Sequence, residues 1–280
     1  MAANVDTAHR LAPARPGTLR LRIQSALVLA PAALVAVWLG GPFLSALTVL
    51  AGSLMGWEWT RLCGHGRVGS RGAAIIAVII AAILCGAFGA PLLALALLGG
   101  GALLIGALGR HSGEPVLAVF GLLWIGLPCT ALLWLAQDVA AGRTTVLWIL
   151  AVVWATDIGA YAAGRVLGGP RLAPRLSPNK TWAGLIGGIL CAAAAGTATA
   201  LVLGLPVGPP LPLVSGFLAI VAQSGDLAES MAKRHFGVKD SSGLIPGHGG
   251  LLDRLDGMLT VIPAVAFLSL LGGGSVVTWR

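Results

Sequence analysis

A chain of 280 residues with 57% hydrophobic and 10% charged residues cannot cover a water-soluble surface, where about a quarter of residues are ordinarily charged; lipid is the solvent that removes the problem. The net charge is +8, and the four cysteines, Cys63, Cys85, Cys129 and Cys191, form no CxxC pair and sit beside no histidine cluster. They read as small apolar packing residues, not as zinc ligands or a disulfide framework.

Residues 1–23 hold Arg10, Arg15, Arg20 and Arg22 against one acid, Asp6. This is expected to be a basic cytoplasmic tail before the first span, in preference to an Arg-rich transit peptide. Apolar runs of bilayer length, roughly 17–25 residues, follow near 24–40, 42–60, 72–89, 91–109, 115–136, 144–164, 182–204, 210–228 and 257–274. The fold class is therefore all-α, a polytopic transmembrane helical bundle of about nine spans. Residues 24–150 form its N-terminal helices, and 151–280 a C-terminal catalytic region with cytoplasmic-facing loops at 165–181 and 229–256. The 41 glycines suit close helix packing in a bilayer. Pro42, Pro91 and Pro210 fall at span starts, where proline is tolerated.

With the N-terminus inside, 16 of the 18 basic residues lie on the inner side, leaving only Arg143 and Arg280 outside. That is a strong positive-inside bias. It places the chain in a membrane such as the bacterial inner membrane, its polar loops facing the cytoplasm. The same charge attracts anionic lipids and nucleotides. No nucleic-acid partner is expected.

Six of the ten acids, Asp157, Asp226, Glu229, Asp240, Asp253 and Asp256, lie between 157 and 256. Ionisable groups at membrane depth are costly and usually line a functional cavity. Asp226 closes the eighth span, and Asp253 and Asp256 open the ninth, one helical turn apart. Carboxylates from two span ends suit a hard divalent cation that keeps positions open for phosphate, with Asp226, Asp253 and Asp256 as ligands. The plainer alternative pairs these acids with Lys233, Arg234, Lys239 and Arg254 as interfacial salt bridges. Pro246-Gly247-His248-Gly249-Gly250 precedes the ninth span and is expected to turn backbone amides inward as an anion nest, next to a helix N-terminus. His248 reads either as a phosphate donor or general acid, or as a turn histidine.

A second constellation comprises Asp157 and Tyr161, at i and i+4 on one helix face, followed by Ser177, Asn179, Lys180 and Thr181. It reads as a cationic, hydroxyl-rich loop for phosphate or nucleotide, or more plainly as an N-cap with an interfacial anchor at Trp182.

The pattern Ser230-x-x-Lys233-Arg234-x4-Lys239-Asp240-x5-Pro246-x-His248-Gly249-Gly250-x2-Asp253-Arg254-x-Asp256 resembles the signature of the phosphatidate cytidylyltransferases, or CDP-diacylglycerol synthases. Ala232 stands where that family has a larger apolar residue. The segment with Asp157, Gly159, Tyr161, Gly164 and Ser177-Pro178-x-Lys180-Thr181-Trp182 is similar to the same family. The resemblance is strong over 154–256, while 1–150 match only as a run of apolar spans. It implies an all-helical, magnesium-dependent enzyme with one or two metal ions, seen as a homodimer. Such an enzyme transfers CMP from CTP to phosphatidic acid, giving CDP-diacylglycerol and pyrophosphate in phospholipid biosynthesis, with Asp226 and Asp253 bridging metal. Lys233, Arg234, Lys239 and Arg254 then hold phosphates.

Two other classes fit less well. A CDP-alcohol phosphotransferase needs a longer acidic pattern, which fails here because Asp256-Gly257 runs into Met258-Leu259-Thr260. A transporter places coupling-ion acids near the midplane between inverted repeats; no internal repeat is visible, and the acids cluster at one face.

Overall fold

The computed structural model describes residues 17–64, 66–109, 115–205, 207–247 and 249–279. Among these the chain forms nine helices: α1 Gly17–Leu39, α2 Gly41–Cys63, α3 Ser70–Ala87, α4 Pro91–Gly109, α5 Pro115–Ala136, α6 Gly142–Val166, α7 Trp182–Val202, α8 Pro210–His235 and α9 Leu252–Leu271. A short antiparallel hairpin, β1 Arg171–Ala173 and β2 Ser177–Thr181, joins α6 to α7. Most of the N-terminal tail, with Asp6, Arg10 and Arg15, lies outside the described residues, as do His65, Arg110, Glu114, His248 and Arg280.

Six helices, α3 and α5 to α9, are long and apolar enough to cross a membrane. Within α1 and α4 the apolar stretches are shorter, Leu27–Leu39 and Pro91–Ala107. Large apolar side chains such as Phe88, Leu92, Leu103 and Leu213 point outward, as a lipid-facing surface requires. The chain is an integral membrane protein.

Two expected boundaries move. α8 continues seven residues past 228, and α9 starts at Leu252, five residues before 257. The polar stretch 229–256 is therefore not one loop. Its ends are charged helical turns, and the true connection is 236–251. Charge had read as loop, but the backbone continues its helical hydrogen bonds there, because the charged side chains have partners on neighbouring elements.

Packing follows the small residues. α6 lies most extensively on α7. A methyl at Gly159 would sit 2.6 Å from Cys191 and 2.7 Å from the Gly187 carbonyl, and one at Gly184 would sit 2.9 Å from the Ala160 carbonyl. With no hydrophobic drive between helices in lipid, such close backbone approach supplies the contact. α8 and α9 meet at Gly225, where a methyl would lie 2.7 Å from the Asp256 carbonyl, and Thr260 Oγ1 donates to the Val221 carbonyl at 3.0 Å. That approach sets Asp226 beside the first turns of α9.

In the N-terminal half, α2 meets α5 at Trp59, which is 1% exposed and donates from Nε1 to the Leu117 carbonyl at 2.9 Å. The Trp59 ring lies 5.5 Å from Phe120 and meets Phe236, just past α8, edge-on at 6.4 Å. The first half of the chain thus touches the segment that links α8 to α9.

Candidate active site

The polar residues converge at the end of the bundle where α6 and α8 finish and α9 begins. The hairpin brings Lys180 there. Thr181 caps α7, its Oγ1 accepting from the Gly184 amide at 3.0 Å, and this fixes the residue before it. Lys180 Nζ then stands 2.6 Å from Asp226 Oδ2. Lys180 and Asp157 from one constellation thus meet Asp226 from the other. Asp226 Oδ1 also accepts from Ser230 Oγ at 3.3 Å, one turn along α8.

Lys233, a further turn on, lies 2.5 Å from Asp253 Oδ1 and 3.4 Å from Glu229 Oε1. The second distance is an ion-pair contact without hydrogen-bond geometry. Asp256 lies within electrostatic reach of Asp226, Asp157, Glu229 and Lys233. Asp157, on α6, feels Asp226, Lys180 and Arg254. Five carboxylates from three helices thus surround two ammonium groups, an arrangement that only charge pairing or bound cations make tolerable at membrane depth.

Asp253 is the most constrained acid. Its Oδ2 accepts from the Ser241 amide at 2.9 Å, Ser241 Oγ at 2.9 Å and the Gly250 amide at 2.8 Å, while Lys233 holds Oδ1. In the anion nest expected at 246–250, the Gly249 and Gly250 amides are already taken. The Gly249 amide donates to the Ile245 carbonyl at 3.2 Å, and the Gly250 amide donates to Asp253. The glycines are needed for a different reason. Gly249 has φ +87°, and a side chain there would come within 2.9 Å of Asp253 Oδ2.

The remaining sequence candidates are more dispersed. Tyr161 is exposed, and its hydroxyl accepts from Arg165 at 2.9 Å. Ser177 is half-buried at the start of β2, where it pairs with Ala173, and Asn179 is exposed on the same strand. Arg234 donates to the Val238 carbonyl at 3.0 Å, which closes the end of α8, and it pairs with no carboxylate among the described residues. Lys239, Asp240 and Arg254 are exposed. His248 lies outside the described residues. Asp240 borders a cavity of about 590 Å³ that is also lined by Trp57, Glu58, Arg61, Ser241 and Ser242.

Sequence reasoning missed Glu58. It is fully buried on α2 and accepts from Ser242 Oγ at 2.6 Å, the Leu251 amide at 2.8 Å and the Leu252 amide at 2.8 Å. The signal was available: Glu58 is the one acid between Asp6 and Glu114, set between two tryptophans in an apolar helix. Ser241 and Ser242 carry no comparable mark.

Among the described residues no three acids, histidines or cysteines form a ready-made metal cage. The donor set nevertheless fits magnesium. That ion typically takes one or two carboxylates and completes its shell with water and substrate phosphates. Asp226 Oδ2 and Asp253 Oδ1 each already face a cation, the ammonium of a lysine.

Fold and site together define a polytopic membrane protein with a cluster of charged groups at one end of a helical bundle. The chain belongs to the cytidylyltransferase family, whose profile matches residues 20–271. It is 42% identical to the phosphatidate cytidylyltransferase of Brucella suis, over 91% of this chain and 93% of that protein. It is 38% identical to the enzyme of the same name from Pseudomonas aeruginosa, over 89% and 96% of the two chains. With that of Bacillus subtilis, 47% identity extends over 45% of this chain and 48% of the relative.

Proposed function

We infer that the chain is a nucleotidyltransferase that moves CMP from CTP to phosphatidic acid, giving CDP-diacylglycerol and pyrophosphate in phospholipid biosynthesis. The observation that carries this reading is the paired arrangement of Lys180 on Asp226 and Lys233 on Asp253 at one end of the bundle. It offers cations for phosphate and carboxylates for metal within a single cluster.

In the proposed reaction a phosphate oxygen of phosphatidate attacks the α-phosphorus of CTP. The new P–O bond forms as the bond to the β-phosphate bridge breaks, and pyrophosphate leaves with that electron pair. Phosphatidate is already anionic near neutral pH, so alignment and charge neutralisation are the protein's main tasks. Magnesium, held by Asp226 and Asp253 with Asp256 in support, would neutralise charge on the triphosphate. Lys180 and Lys233 orient phosphates, since each ammonium has donors to spare beyond its carboxylate. Ser230 steadies Asp226, and Ser241 and Gly250 steady Asp253. Arg234, Lys239 and Arg254, all exposed, supply further positive charge.

The positive-inside bias supports a cytoplasmic site in a bacterial inner membrane, where CTP is available from one side and phosphatidate from the bilayer. A homodimer is proposed from the family resemblance. The direct test incubates purified protein with labelled CTP, phosphatidate and magnesium. Labelled lipid that depends on all three supports the reading, and its absence from folded protein refutes it.

A further inference from the structure

We propose that Glu58 is a positioning residue for the reaction: from the N-terminal half of the chain it fixes the 241–252 segment on which the Asp253 carboxylate depends. The inference rests on the reading of Asp253 as a site residue.

Two carboxylates hold this segment. Glu58 takes the amides of Leu251 and Leu252 and the hydroxyl of Ser242. Asp253 takes the amides of Gly250 and Ser241 and the hydroxyl of Ser241. Consecutive amides at 250, 251 and 252 are thus divided between the two acids, so a shift of one changes the other's donors. Ser241 Oγ lies 2.9 Å from Asp253 and 3.4 Å from Glu58. Having one proton, it donates to the nearer acid, and its lean toward Asp253 depends on Glu58 being satisfied elsewhere.

A buried carboxylate without a lysine or arginine partner among the described residues needs such donors. The first amides of α9, at the positive end of its dipole, supply them. An α9 N-terminus occupied by Glu58 cannot also take a substrate phosphate, so Glu58 acts through geometry and not by contact with substrate. Its neighbour Trp59 packs on Phe236, which anchors the other end of the same connection to α2. The direct partners of Asp226 and Asp253 named above all come from residue 180 onward.

The test uses the full-length chain in detergent, carrying Glu58→Gln, with Ser242→Ala as a milder second variant. In Glu58→Gln an amide NH2 faces a backbone N–H, so at least one donor loses its acceptor. Two quantities are read. The first is amide hydrogen exchange across 249–252. The second is the magnesium concentration for half-maximal rate, measured per folded enzyme. Exchange is expected to quicken in both variants, and half-saturation to rise by about tenfold or more in Glu58→Gln, the scale seen when a supporting hydrogen bond to a metal ligand is removed. Ser242→Ala should move both in the same direction by less.

Unchanged exchange overturns the clamp. Faster exchange with unchanged half-saturation and turnover overturns the positioning role and leaves Glu58 a packing residue. If Glu58→Gln yields no folded protein, Ser242→Ala decides by the same two readings. Asp253→Asn separates the underlying premise: activity retained there refutes the role of Asp253 itself, whatever Glu58 does.

Discussion

Lys180 Nζ and Asp226 Oδ2 stand 2.6 Å apart, joining the hairpin before α7 to the C-terminal half of α8. The same ammonium is 3.4 Å from the Gln223 carbonyl, so Lys180 bends inward over α8 and does not extend along the bundle surface. A snorkelling anchor would have its charge in the interface; this one is 14% exposed.

Lys180→Ala is therefore expected to lower kcat/KM for CTP by about 10²–10³-fold, the usual cost of removing one charged group that stabilises a transferring phosphate. Lys180→Arg keeps charge but not geometry and should fall between the two. Steady-state kinetics at saturating phosphatidate and matched folded protein decide. Constants equal to wild type for Lys180→Ala would make the hairpin an anchor and confine the site to α8 and α9.

Asp226→Asn and Asp253→Asn should each abolish turnover while the protein remains folded and membrane-inserted. Each loses a charged oxygen that faces a cation, and Asp253→Asn additionally places an NH2 against either Lys233 or the Ser241 and Gly250 donors. Retained activity within about tenfold of wild type, roughly 1.4 kcal/mol in barrier, would remove that residue from the proposed metal site. Size-exclusion profiles in detergent serve as the check on folding.

Topology is open to a direct chemical check. In a background lacking the four native cysteines, Arg175→Cys on the hairpin and Leu244→Cys on the α8–α9 connection are exposed positions. Val139→Cys, fully exposed between α5 and α6, reports the opposite end. An impermeant thiol reagent added to intact cells should label 139 and spare 175 and 244. The reverse pattern would invert the proposed orientation.

The helices were largely legible because a bilayer imposes one demand, about 20 apolar residues with every backbone group satisfied internally. Pro91 and Pro210 mark two starts where they were expected, and Pro42 is the second residue of α2. Legibility failed where charges entered helices: Glu229 and Lys233 belong to α8, and Asp253 and Asp256 to α9. The carboxylates of the site could be picked out as ionisable groups that an apolar chain does not tolerate without use. Their partners could not. Glycines at 249 and 250 announce a tight turn but not which acceptor takes their amides, and Glu58 meets Leu252 across 194 positions of sequence, a separation that no local pattern bridges.

Gly250 offers the sharpest test of the double clamp on this turn. A methyl placed there would overlap Ser241 Oγ and lie 2.6 Å from Glu58 Oε1, so neither carboxylate could keep its present hold. Gly243, in the same connection, has nothing within 4 Å of the corresponding position. Neither Gly243 nor Gly250 has a φ in the left-handed region, so steric contact alone separates them. Gly250→Ala must push Ser241 off Asp253, shift the turn away from Glu58, or both. Each donor left buried without an acceptor costs about 1–3 kcal/mol. Misplacing a reacting group by about 1 Å can cost roughly 10²-fold in rate. Gly250→Ala is accordingly expected to lower turnover by about 10²-fold and to reduce thermal stability, whereas Gly243→Ala should stay within about twofold of wild type, since surface changes away from such contacts rarely exceed ±0.5 kcal/mol. Equal activity in the two alanine variants would mean that the turn relaxes freely and that the contacts of Glu58 and Ser241 at Gly250 do not constrain the site.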